Sequence, residues 1–162
     1  HYDIAQFAGG KFVWVLFYLP IAVGLTLAFD PVFGIRPLEV AVFLVAIWGA
    51  YLIRTFAQSA LGMVTFWTTR VGALFNLYFT LELLLSGRLV PMTLMPDWVQ
   101  DIAWFLPFQW TFYFPIQTLV GEYSNAELAG GLAMQVLWTL IGIGVFSLLW
   151  RHAIRRYSAV GN

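Results

Sequence analysis

Between Glu127 and Arg151 the chain runs from Leu128 to Trp150 without a charged side chain. A helix needs roughly 20 apolar residues to cross the hydrocarbon core of a bilayer, and this run supplies them. The rest of the chain has the same character. It is 162 residues long, 61% hydrophobic and 10% charged, with a mean hydropathy of +0.82. A soluble domain carries about 25% charged residues, so the expected solvent is lipid and the expected fold class is an all-α integral membrane protein. A formal net charge of zero, with Lys11 the one lysine, argues against nucleic-acid binding. The absence of cysteine excludes disulfides and thiolate metal sites. The chain opens His1-Tyr2-Asp3, without Met or a signal-peptide pattern, and is read as the C-terminal part of a longer protein.

Four apolar runs are expected to span, at about 12–29, 38–62, 71–86 and 128–150. Lys11 and Asp30 bracket the first, which has Pro20 in its middle and is expected to kink there. "DPVFGIRP" is a turn, and Pro37 suits the start of the second helix. Glu39 then falls in its first turn, where the helix dipole favours an anion. In that helix Ala46, Ala50, Arg54 and Gln58 share a face, with Gly49 and Ala57 beside them; small residues permit close helix approach in lipid. In the third run Gly72, Asn76 and Thr80 form a stripe, while Glu82 and Ser86 lie on another face, so neighbours are expected on both. "SNAE" at 124–127 has the pattern of a capping box. Gly131, Gln135, Thr139 and Gly142 form a further packing stripe in the last run. That run ends in "RHAIRRY", whose Arg151, Arg155 and Arg156 are a cytoplasmic basic anchor facing anionic lipid.

Residues 97–121 are ambiguous by hydropathy, because no charge lies between Asp101 and Glu122. With four spans, Lys11, Arg70 and the arginines of the tail lie on one side, and Arg36 and Arg88 on the other. That satisfies the positive-inside rule with a cytoplasmic C-terminus. A fifth span would reverse the orientation and also satisfy the rule, so the positive charges leave both topologies open. Local chemistry favours the first. Pro107 and Pro115 each remove a backbone donor and bias the preceding residue away from helix. Trp104, Phe105, Phe108, Trp110, Phe112, Tyr113 and Phe114 are crowded together around them, and Trp and Tyr favour the interface. The expectation is a re-entrant pair of short helices, near Asp97–Leu106 and Phe108–Val120, dipping into the outer leaflet before the last span.

The stretches "FWTTR", "LLLSGRLVP", "LPFQWTFYFPIQTLVG" and "WRHAIRRYSAVG" together resemble the C-terminal part of ABC-2-type ABC transporter permeases, in particular bacterial six-span ones. The resemblance implies that the four runs are family spans three to six, with two spans and most of the ATPase-contacting coupling loop preceding them. It places a broken re-entrant pair on the outside between the last two spans. It also implies partners: ABC ATPase subunits that hydrolyse ATP, and a second permease subunit, the same or different, in the inner (plasma) membrane of a prokaryote.

The candidate site residues are the intramembrane polar groups Arg54, Glu82, Asn76 and Thr80, with Pro107, Trp110, Phe114 and Pro115 in the re-entrant element. Arg54 either lines the translocation route or pairs with Glu82, or else snorkels from near a helix end. Glu82 serves either a structural hydrogen bond or a substrate or gating role. Asn76 and Thr80 read first as packing, the aromatic cluster as interfacial anchoring, and His152 as a solvated or lipid-facing residue. Two distant histidines make no metal site, and no cofactor is expected. The phosphate loop, nucleophile elbow and H-E-x-x-H motifs are absent, so the chain is not read as an enzyme. The expected function is a permease subunit of an ATP-driven ABC exporter with hydrophobic or amphipathic cargo. The rivals are a non-transporting membrane scaffold or sensor subunit and an intramembrane enzyme.

Overall fold

The computed structural model describes residues 36–158 except Thr69 and Glu122, together with Pro20, Ile21, Val23 and Gly24; the side chains of 155–158 are not included. The chain divides into two compact units, His1–Gly34 and Ile35–Asn162. In the first, the four described residues are helical, and the rest of the expected span at 12–29 lies outside the described residues.

The regular elements of the second unit are all helices, with no strand among the described residues. Its elements are α1 (Pro37–Met63), a 3-10 turn (Val64–Phe66), α2 (Val71–Leu85), a second 3-10 turn (Met92–Leu94), α3 (Asp97–Phe105), α4 (Phe108–Thr111), α5 (Tyr113–Val120) and α6 (Asn125–Ser158). Pro37 opens α1, where its missing N–H is no loss. Glu39 reaches back over the start of the helix, accepting from the Arg36 backbone N–H at 2.8 Å and from Arg36 Nε at 2.7 Å. At α6 the expected capping box is present. Glu127 Oε2 accepts from the backbone N–H and the hydroxyl of Ser124, and Ser124 Oγ accepts from the Glu127 N–H.

α1 and α6 lie side by side and parallel. Arg36 Nη1 reaches Asn125 Oδ1 at 3.5 Å, and Gln135 Nε2 donates to the Ala46 carbonyl at 2.9 Å; both pairs are 89 residues apart. Farther along, Phe56 meets Gly142 and the ring of Phe146. The small-residue stripes explain this approach. Ala46 is wholly buried and Ala50 nearly so, and a Cβ on Gly49 would stand 2.5 Å from Gln135 Oε1. Removing side chains from the seam lets two backbones come close enough for an amide to bridge them.

Among the described residues two helices are long and apolar enough to cross a membrane, Pro37–Phe66 and Asn125–Ile154. Their outward residues are large and apolar: Leu44, Ile47, Trp48 and Tyr51 on α1; Val136, Leu137, Leu140 and Leu148 on α6. α6, at 34 residues, is about 51 Å long, so its basic end extends past a hydrocarbon core of about 30 Å. α2 is apolar but shorter; its 15 residues make about 22 Å. It ends at Gly87, whose φ of 75° is left-handed. A Cβ there would also lie 2.9 Å from the Tyr113 ring, so glycine is needed both for the turn and for the close approach.

Residues 97–121 form three short helices where two were expected. The first break, at Leu106 and Pro107, falls where the sequence placed it. The second, at Phe112 (φ −140°, ψ −59°), divides the expected 108–120 helix. Its cause is Pro115, which has no N–H to offer the Thr111 carbonyl and whose ring crowds that turn. The longest of the three, α3, has 9 residues and spans about 14 Å.

Candidate functional site

The buried core gathers where the broken element meets the α1–α6 seam: Val42, Ala46 and Ile53 from α1, Trp110 and Phe114 from α4 and α5, and Leu128 from α6. The break at Phe112 frees the Trp110 carbonyl from its usual partner, the N–H of residue 114. Gln135 takes it. Its Nε2 donates to Trp110 O at 2.8 Å and to Ala46 O at 2.9 Å, both bonds being buried. One amide group thus ties the broken element to both long helices. A carbonyl left bare here would cost about 1–3 kcal/mol.

Other contacts fix the height of the element. Phe114, 2% exposed, fills the space left by Gly131. Trp110 Nε1 donates to the Trp104 carbonyl at 3.2 Å. As the chain leaves α5, Arg36 Nη2 holds the Tyr123 carbonyl at 2.9 Å. The element enters alongside α6 only as far as Gln135, then returns to the level where α1 and α6 both begin. α6 continues another 23 residues beyond that point, about 35 Å.

A second polar feature lies deeper along α1. Arg54 and Glu82 form an ion pair between α1 and α2, with Nε 2.8 Å from Oε1 and Nη2 3.4 Å from Oε2. Its two ends differ: the Glu82 side chain is 10% exposed and that of Arg54 41%. Arg54 therefore brings a charge to a nearly buried carboxylate while keeping part of its guanidinium outside. Ser86, one turn beyond Glu82, is buried with its hydroxyl unpartnered.

Asn76 and Thr80 lie on the uncovered face of α2, and Thr80 Oγ1 donates to the Asn76 carbonyl at 2.8 Å. Pro107 is half-buried; Trp110, Phe114 and Pro115 are buried in the core. Arg151 is exposed on α6, His152 Nδ1 lies 2.8 Å from the Leu148 carbonyl, and Arg155 and Arg156 continue the same helix. The structure thus joins Arg54 to Glu82 and keeps the Asn76–Thr80 stripe apart from them. Two residues gained roles that sequence reasoning did not assign: Gln135, read as a packing residue, and Arg36, read as a loop charge. A lone amide in an otherwise small and apolar stripe was the available signal for Gln135.

A family model described as "ABC-2 family transporter protein" matches residues 4–161. No curated protein and no solved structure matches the chain.

Proposed function

The chain belongs to the ABC-2 family of transporter proteins, and on that premise we propose that it is a membrane-spanning permease subunit of an ATP-driven exporter. In this reading it contributes part of the translocation route, ATP hydrolysis falls to separate ABC ATPase subunits, and a second permease subunit completes the assembly. The observation that carries it is the family match over nearly the whole chain. The geometry supports it in three places. α1 and α6 have the length and the apolar exterior of crossings. The broken element is confined to the end where both begin, which suits a re-entrant lid in one leaflet; irregular backbone at membrane depth is tolerated when it packs on protein. The basic end of α6 extends at the opposite end, which suits a cytoplasmic C-terminus in a prokaryotic plasma membrane.

Within this reading the Arg54–Glu82 pair is the movable polar joint of the route. Ionisable groups among apolar helices are costly and persist where they pair or work. The exposed Asn76–Thr80 face of α2 is the surface for the second permease subunit or the cargo. The test is reconstitution of the permease with its ATPase in liposomes, measuring cargo-stimulated ATP hydrolysis and vectorial transport. Stimulation that requires both subunits is expected. Unchanged transport by an intact Glu82→Gln complex would remove the polar joint from the mechanism. Absence of any associating ATPase would overturn the permease reading and leave a scaffold or sensor subunit.

A further inference from the structure

Beside the broken element lies an open cleft of about 520 Å³, formed between α3, α4, α5 and the first turns of α6. This is the size range of small-molecule sites, about 300–1,000 Å³. One wall is a continuous aromatic row. Trp104 and Trp110 meet edge to face at 6.2 Å, Trp110 and Phe114 lie 5.7 Å apart, and Phe114 and Tyr123 6.2 Å apart. Two carboxylates line the cleft, Asp101 from α3 and Glu127 from α6, and among the described residues no basic side chain lines it. Glu127 Oε2 is committed to the Ser124 cap. Asp101 is exposed and has no ion pair or hydrogen bond through its side chain among the described residues. The nearby cations are engaged elsewhere: Arg36 with Glu39 and the Tyr123 carbonyl, Arg88 over the Phe112 ring at 5.9 Å.

Gln109 supplies an independent pointer. It is only 8% exposed, yet its side-chain amide makes no hydrogen bond within the described residues, and it lines the cleft. Its amide atoms are open to the cleft, so a donor and an acceptor face whatever enters. Tyr123 adds a neutral hydroxyl nearby. Burial pushes its phenol up to about 12, with Tyr113 and Glu127 acting in the same direction.

We propose that this cleft binds an amphipathic organic cation, seated on the aromatic row with its charge toward Asp101 and Glu127. Ring faces attract cations, most strongly where water is thinned. The uncompensated carboxylates select the sign of the charge. The exposed Trp98, Trp104 and Phe105 around α3 give the apolar part of such a ligand a path from the interface. The proposal depends on the permease reading only for what the binding is used for, that is, as an exit or holding site for cargo.

The test is equilibrium binding of tetraphenylphosphonium to the purified chain in phosphatidylcholine nanodiscs, without nucleotide or ATPase. Neutral triphenylphosphine oxide is the matched control. Saturable binding of the cation alone is expected. Asp101→Asn, on an exposed side chain whose loss does not threaten the fold, should weaken it by roughly fivefold or more. Gln109→Leu should weaken it further, while Ser147→Ala, toward the other end of α6, leaves it unchanged. Equal binding of the neutral compound, wild-type affinity in Asp101→Asn, or no saturable binding overturns the proposal. Any of these leaves the permease reading standing, because no transport step is measured.

Discussion

The α1–α6 pair and the broken element at 97–121 are both rich in apolar residues, yet they solve the backbone problem in opposite ways. In α1 and α6 every interior peptide is satisfied within its own helix. The side chains are then free to face outward as Leu, Ile, Val and Trp, and the seam between the helices is lined with Ala and Gly. In the broken element two prolines remove that self-sufficiency. Phe108, Trp110 and Phe114 turn inward, and all four residues of α4 are buried. The freed Trp110 carbonyl is satisfied by a side chain from another helix. Composition alone does not distinguish the two regions; the placement of proline and the availability of Gln135 do.

The largest expected effect is topological. The chain has no cysteine, so single cysteines report cleanly. Thr93→Cys and Ala126→Cys, both at exposed positions flanking the element, should react with an impermeant maleimide from the same face of the membrane. His152→Cys should react only from the other. The contrast would be all or none. Labelling of positions 93 and 126 from opposite faces would mean that the element crosses the membrane as α1 and α6 do.

Next in size is the contact that seats the element. A Cβ on Gly131 would fall within the Phe114 ring, and that ring is hemmed in by Trp110 and Tyr123. Gly131→Ala should therefore cost about 3 kcal/mol, the upper range for overpacking. It would appear as a lower melting temperature in detergent. Phe114→Leu added to it should recover part of the loss, since it removes the colliding ring atoms. By contrast Gly130→Ala, where nothing lies within 4 Å, should be neutral or mildly stabilising.

Much of this was legible in the chain. The alanine and glycine stripes marked the seam, because helix periodicity brings residues four apart onto one face. Ser124 and Glu127 announced the start of α6, and Pro37 that of α1. Pro107 and Pro115 announced a broken segment. What was not legible depends on distance in space. The sequence offered Arg54 and Glu82 as possible partners but also a snorkelling Arg54, and only the approach of α1 to α2 brings them together. Pro115 announced a break without saying that it would fall at Phe112, three residues earlier. Nor does any local pattern show that the carbonyl freed there comes to rest beside residue 135. Asn76 and Thr80 were expected to meet neighbours, and within this chain they lie on an open face.

The two ends of the ion pair between α1 and α2 are not equivalent. Arg54→Met leaves Glu82 nearly buried without its partner and should cost about 2 kcal/mol. That lies below the 3–5 kcal/mol of a fully buried pair, because Arg54 is partly exposed and the pair is correspondingly screened. Glu82→Gln leaves a guanidinium that still reaches polar surroundings, so it should cost less. The double variant should be closer to wild type than Arg54→Met alone. Thermal unfolding of the three variants in nanodiscs measures the order. If Glu82→Gln proves the costlier single change, Glu82 is engaged by something other than Arg54.

The smallest expected effect concerns the one amide that joins the two regions. Gln135→Leu removes the donor shared by the Ala46 and Trp110 carbonyls. Ala46 keeps its place in the α1 ladder, so one bare carbonyl results, that of Trp110. The substitution also removes Gln135 Oε1, a buried acceptor without a partner, which offsets part of the loss. A net cost of about 1 kcal/mol follows, with α1 and α6 still side by side. The change should be local: faster amide exchange across 112–118 and unchanged exchange in the α1–α6 seam. Gln135→Glu separates packing from hydrogen bonding. It keeps the length of the side chain, but as a carboxylate it donates nothing and places a charge against two carbonyls, so it should be the more damaging of the two. If Gln135→Leu instead loosens the whole seam, the amide holds the long helices together as well as the broken element, and the two regions share one support.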